Sequence, residues 1–152
     1  MRQMLIILGT IFLIIIIVVT AAITFVAVRG AALDKESKAY VDKTVPLIVS
    51  RWDEQELLKR ASPEFMQAAP TNELDKFFVM ARRLGKLREY QGSEGQSYIS
   101  VTTQNGKTIT AKYSVNAVFD ADPAVINIVL IKHGDQWQIE GFHVDSDLFL
   151  QH

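Results

Sequence analysis

Three side chains of this 152-residue chain have the type and setting for acid–base chemistry: Tyr113, His143 and Asp145. Proton transfer needs a titratable group within hydrogen-bond reach of its partner. Tyr113 stands on the apolar parity of Ile109, Ala111, Val115 and Ala117, alternating with Thr110, Lys112, Ser114 and Asn116. Its ring therefore reads as inward-facing, with the hydroxyl as a polar tip. His143 and Asp145 lie two apart in an extended stretch and share one strand face. Tyr113 and His143 are the candidate pocket residues. The plainer account is a core tyrosine and a solvated strand face.

Other chemistries find less to work with. His133, His143 and His152 occupy a turn, a strand and the terminus, without metal-ligand spacing, and the chain has no cysteine. No phosphate-binding loop, dinucleotide fingerprint or nucleophile elbow occurs. The expectation is no catalytic set, no cofactor and no metal. Arg82, Arg83, Lys86 and Arg88 form the one basic cluster, a candidate contact for anionic headgroups or an acidic partner. Its plainer account is a helix C-terminus with complementary charge. Sixteen basic residues face seventeen acidic ones, a balance that argues against a nucleic-acid surface.

The element that locates all of this is the first apolar run. Residues 5–28 contain no charge, no proline and one glycine, Gly9. As a helix they span roughly 36 Å, enough to cross a hydrocarbon core of roughly 30 Å. The run exceeds a secretory h-region, and Val28-Arg29-Gly30 is a poor cleavage site, so it reads as an uncleaved signal-anchor. Thr20, Ala21, Ala22, Thr24 and Ala27 gather small residues in its second half, where close approach of another membrane helix is easiest. Thr20, Ala21, Thr24 and Ala27 are the candidate packing face. Arg2 precedes the run and Arg29, Lys35, Lys38 and Lys43 follow it, a bias that by itself favours a cytoplasmic C-terminal domain. A very short N-terminal tail before a whole domain instead resembles bacterial single-pass proteins facing the periplasm, and that side is the expectation.

Residues 30–44 are charged and helix-compatible, with no clear apolar stripe, and read as a solvated stalk or linker. Pro46 suits the first turn of a new helix reaching to about Ala61, carrying Leu47, Ile48, Trp52, Leu57 and Leu58. Ser62-Pro63 announces a short helix with Phe65 and Met66. Leu74, Phe77, Phe78, Ala81 and Leu84 recur at helical spacing until Gly85. The period then becomes two. Residues 87–91 read as a short strand, 92–95 as a turn, and 98–103 as a strand ending at the Asn105-Gly106 hairpin signal. Long strands follow over 109–119, 125–132 and 136–145. In the last, Trp137 and Ile139 have one parity, Phe142 and Val144 the other. A β-bulge at Gly141 would bring all four to the core and turn His143 and Asp145 outward.

Helices followed by four or five sequential strands predict an α+β fold: two to three helices on a curved antiparallel sheet, behind a transmembrane helix. The passage Leu84-Gly85-Lys86-Leu87, the strand Ala111-Lys112-Tyr113-Ser114-Val115-Asn116-Ala117-Val118-Phe119 and the closing Gly134-Asp135-Gln136-Trp137-Gln138-Ile139 resemble the cystatin-like cone of nuclear-transport-factor-2-like proteins. The resemblance covers roughly residues 45–147 and is nearest to small bacterial envelope members with one N-terminal membrane helix. The apolar run, the charged stretch after it and the new start near Pro46 divide the chain into an anchor (1–29), a stalk (30–44) and a soluble domain (45–152), which the resemblance implies is cone-like. That superfamily includes isomerases, dehydratases, secretion-system assembly subunits and binding modules, so the fold selects no function. The expectation is a non-enzymatic, membrane-anchored accessory or assembly subunit that contacts other membrane proteins at the inner membrane, without nucleic acid. The alternative is a small-molecule or lipid binder, or an enzyme, using the interior of the cone.

Overall fold

The computed structural model describes residues 2–150, with all of their side chains except those of Leu5 and residues 25–28. The chain forms two compact units, Met1–Leu33 and Asp34–His152. Helix α1, Arg2–Val49, supplies all of the described residues of the first unit and begins the second. Its apolar part has a mean hydropathy of 3.2 over its best 18-residue window, with no residue of that window buried. One helix near the N-terminus is therefore long and apolar enough to cross a membrane. The hydroxyls inside it donate to carbonyls of the preceding turn: Thr10 to Ile6, Thr20 to Ile16 and Thr24 to Thr20, at 2.8–2.9 Å. Such back-bonding leaves no hydroxyl needing an outside partner.

The second unit is α+β. After α1 come α2 (Glu54–Leu58), α3 (Pro63–Ala68), α4 (Thr71–Ala81) and a 3₁₀ turn, Arg82–Leu84. Strands β1 (Leu87–Thr102), β2 (Gly106–Phe119), β3 (Pro123–His133) and β4 (Gln136–Asp145) form an antiparallel meander in the order β1-β2-β3-β4. A second 3₁₀ turn, Asp147–Leu150, follows. Burial alternates along β2, with Ala111, Tyr113, Val115, Ala117 and Phe119 inward. Their pairing partners on β3 and β4 continue the same rows, among them Ile126, Ile128, Leu130, Ile139 and Val144. Trp52 meets Phe119 at 5.1 Å between ring centroids, and Phe77 meets Phe142 edge-on at 6.2 Å. Helical residues thus fill the inward face.

Residues 34–44 belong to the domain, in place of the expected stalk. Ser37, Val41, Thr44, Val45 and Ile48 recur at three- and four-residue spacing and are all buried. The stripe is hard to see in sequence because two of its five members are hydroxylated. Pro46 starts no helix; it lies within α1, which ends at Val49. The break comes where Trp52 takes a left-handed conformation (φ 51°), held by burial and by its indole N–H donating to the Gly85 carbonyl at 3.0 Å. The helix expected over 46–61 is accordingly divided between the end of α1 and the short α2, which Asp53 caps through the Gln55 N–H. Ser62 caps α3 by accepting from the Phe65 N–H at 3.1 Å.

The expected turn at 92–95 is also replaced: β1 runs straight through it as one strand of 16 residues. Two features absorb the glycines. A register shift between Tyr90 and Ser93 places Gly92 (φ 93°) in a bulge. Gly95 lies opposite Tyr113, so close that a Cβ there would meet the Lys112 carbonyl oxygen at 1.9 Å. The strand needs glycine for contact, where the sequence pattern suggested a reversal. At the C-terminal end the bulge falls as expected: pairing steps from Val129–Gly141 to Leu130–Ile139, passing over Glu140.

Replacing Gly95 by alanine must push β1 off Tyr113, and overpacking of this kind costs about 1–3 kcal/mol. Chemical unfolding followed by tryptophan fluorescence measures this, since Trp52 and Trp137, the chain's two tryptophans, both lie in the second unit. Phe78→Ala, at a fully buried ring, should lose about 3–5 kcal/mol in the same assay.

Candidate functional site

The two candidate pocket residues stand on opposite faces of the sheet. Tyr113 is 3% exposed on the inward face, and its hydroxyl is already engaged. It lies 2.7 Å from the Ser37 hydroxyl and donates to the Asp34 carbonyl at 2.9 Å. Burial, the largest influence, raises its pKa. Ile128 pairs with it across the sheet, and Trp52, Phe78, Leu84, Ile126, Ile128 and Ile139 are buried in the same domain with almost no exposure.

His143 is on the outer face, its imidazole 2.9 Å from the Asp145 carboxylate. Asp145 accepts from the Asn127 amide at 3.1 Å, and Asn127 in turn accepts from the Ser114 hydroxyl at 2.7 Å. The chain Ser114–Asn127–Asp145–His143 crosses three strands on an exposed surface. It joins a serine to a histidine only through an amide and a carboxylate, so it lacks the serine–base contact that nucleophilic catalysis requires. His143 and Asp145 also border an open groove of about 530 Å³, with Met80, Asn116, Val125 and Phe149. One substrate could not touch both Tyr113 and His143 across the sheet.

The basic cluster is divided in use. Asp120 accepts from the Lys86 backbone N–H at 2.8 Å and pairs with the Arg88 guanidinium. The Lys86 N–H and then Arg88 hold the Asp120 carboxyl below its ordinary value. Arg82 and Arg83 are exposed in the 3₁₀ turn that ends α4, where cations complement the helix C-terminus. On α1, Thr20, Ala21 and Thr24 are exposed, and the side chain of Ala27 lies outside the described residues. Among the described residues no group of three or more His, Asp or Glu is placed to hold a metal ion.

The densest polar cluster is one that sequence reading passed over. Asp34, Lys38 and Asp42 fall four apart on one face of α1 and meet β1. Asp34 accepts from the Ser97 N–H at 2.7 Å and from the Ser97 hydroxyl. Lys38 donates to the Ser93 carbonyl at 2.8 Å and to Asp42 at 3.1 Å. Asp42 also accepts from the Tyr90 hydroxyl at 2.6 Å and the Ser93 hydroxyl at 2.7 Å. The i, i+4 spacing of the three charges was visible in sequence; their strand partners were not. Burial works against the Asp42 carboxylate, but the bonds from Tyr90, Ser93 and Lys38 outweigh it and hold its pKa below the ordinary value. Burial, then the bond to Asp42, pushes the Tyr90 phenol well above its ordinary value.

Comparison with protein-family models, curated proteins and solved structures finds no match to this chain.

The Asp42–Tyr90 pair gives stability two pH limits. Asp42, depressed, stabilises the fold fully above the unfolded aspartate value near 3.8, and that contribution is lost as pH falls through the folded value. Tyr90, raised, contributes fully below the ordinary tyrosine value of 10.0 and loses its contribution as pH rises beyond it. Asp42→Asn should flatten part of the acid limb and Tyr90→Phe part of the alkaline limb. Each should cost about 1 kcal/mol near neutrality, read from unfolding midpoints across pH.

Proposed function

We propose that this protein is a single-pass, membrane-anchored accessory or assembly subunit, non-enzymatic, whose folded domain makes protein contacts within a larger membrane complex. The observation that carries the reading is a helix able to cross a membrane in the same chain as a domain whose interior is filled by its own side chains. A ligand site is normally a cavity with a few convergent polar groups. Here the inward tyrosine is bonded to α1, and the histidine is on the other face. The outer surface offers more to a protein partner. Val79, Met80 and Leu150 are exposed apolar side chains, and Met80 and Leu150 line the groove beside His143 and Asp145.

We further read the second unit as a cone-like member of the nuclear-transport-factor-2-like superfamily, on the strength of the residues that resemble it. The four-strand meander with helical residues over its inward face is compatible with that assignment. The same resemblance supports an inner-membrane protein with its domain in the periplasm, although the positive charges after residue 28 favour the opposite side.

Two measurements test this. Mild solubilisation from native membranes should yield a species larger than the monomer, and a photo-crosslinking residue at Val79 or Leu150 should capture discrete membrane proteins. A strictly monomeric, partner-free protein would sink the assembly reading. For orientation, a phosphatase fused after His152 should be active and a fluorescent reporter active only in the cytoplasm should stay dark; the reverse pattern places the domain inside.

A further inference from the structure

The end of the β1–β2 hairpin is bare on the face that the rest of the sheet buries. Ile99 and Val101 continue the inward parity of Gly95 and Ser97, yet they are 42% and 75% exposed. Tyr98, on the other face, is 44% exposed. No residue from Gln96 to Gly106 carries a charge, and charge is the usual protection of an edge strand. Uncharged from Gln96 to Gly106 and β-rich, with Ile99 and Val101 bare on one face and Tyr98 on the other, this tip calls for a cover.

Its position in the domain indicates which cover. Within the second unit α1 and β1 run in opposite directions, with Asp42 on Tyr90 and Ser93 and Asp34 on Ser97. Asp34 is the first residue of that unit, so the chain enters beside Ser97 and the bare tip extends beyond it on the entry side. The apolar run ends at Val28, six residues before Asp34. Six residues reach at most about 20 Å fully extended. From Ser97, β1 needs only about 13 Å to reach Val101.

We propose that the hairpin tip, residues 98–107, lies in the lipid interface of the membrane that residues 5–28 span. This rests on the spanning reading of that run. Ile99 and Val101 enter the boundary between headgroups and acyl chains, roughly 5–10 Å deep, as apolar faces of interfacial elements do. Tyr98 sits at headgroup level, where an amphipathic ring is at home. Thr102, Thr103, Gln104 and Asn105 supply hydrogen-bonding groups to headgroups and interfacial water, and Lys107, opposite Val101, supplies a cation for lipid phosphate.

The chain's lack of cysteine permits clean single labels. Ile16→Cys, Val101→Cys and Ala121→Cys, each carrying an environment-sensitive fluorophore, are placed in the full chain in phosphatidylcholine vesicles that carry nitroxide-labelled lipids. One lipid has the nitroxide near the headgroup and one has it near the bilayer centre, where a label at Ile16 of a spanning helix lies. Ile16 reports on the apolar run. Ala121 lies in the β2–β3 turn, about 40 Å along the sheet from the tip. Unchanged tryptophan fluorescence verifies folding. The expected result is loss of emission from the Ile16 and Val101 labels and none from the Ala121 label. Quenching at Ile16 without quenching at Val101 overturns the hairpin inference and leaves the spanning reading intact. No quenching at Ile16 overturns the spanning reading, and the inference with it. A Val101 label shielded from aqueous iodide yet untouched by either nitroxide lipid would mean that protein, such as a second copy of this chain, covers the tip; that too overturns it.

Discussion

Asp34, Lys38 and Asp42 anchor one face of α1 to the edge strand β1, and the rest of the domain is built against that seam. A buried stripe of Val41, Val45 and Ile48 gives the helix a reason to pack, but hydrophobic contact has no direction. The polar contacts supply direction. Asp34 takes the Ser97 N–H, Lys38 the Ser93 carbonyl, and Asp42 the Tyr90 and Ser93 hydroxyls. A slip of one helical residue would turn the carboxylates away and leave edge-strand groups without partners. The seam therefore sets the register of helix on sheet.

That register also governs what Tyr113 can do. A tyrosine on the inward parity of a strand is a reasonable place to look for proton chemistry until its surroundings are known. Here α1 brings Ser37 and the Asp34 carbonyl to its hydroxyl, and Gly95 lets β1 lie directly over its ring. The side chain becomes a strut between helix and sheet. Its counterpart His143 is carried outward by the bulge at Gly141. A single extra residue in β4 thus separates two groups that a regular strand would have put on the same face.

Charge is used locally throughout. Asp120 joins the Lys86 backbone and the Arg88 side chain across the end of the sheet, and Glu56 pairs with Arg60 at 2.7 Å on α2 and its C-terminal flank. Of the four basic side chains in the cluster, Arg88 is thereby committed to structure. Exposed pairs of this kind contribute little stability individually, so the fold depends on its apolar interior and on the seam more than on surface ion pairs.

Much of this was legible in the amino-acid sequence. The apolar run, the alternation along β2, the Asn105-Gly106 hairpin, the Ser62 cap and the Gly141 bulge are local signals, since propensity and parity act over a few residues. What escaped notice depended on distant partners. Residues 34–44 read as a stalk because a stripe containing Ser37 and Thr44 looks polar until strands arrive to cover it. Gly92 and Gly95 read as a turn because glycine marks both reversal and close approach, and only the position of Tyr113 distinguishes them. Trp52 holds a left-handed backbone because its ring and indole N–H are gripped by Phe119 and Gly85, far along the chain. Sequence alone determined β2, β3 and β4, the hairpin and a helix able to cross a membrane, all from short-range periodicity. Tertiary structure decided where the domain begins and which polar groups are already spent, because both depend on contacts between residues some thirty to eighty positions apart.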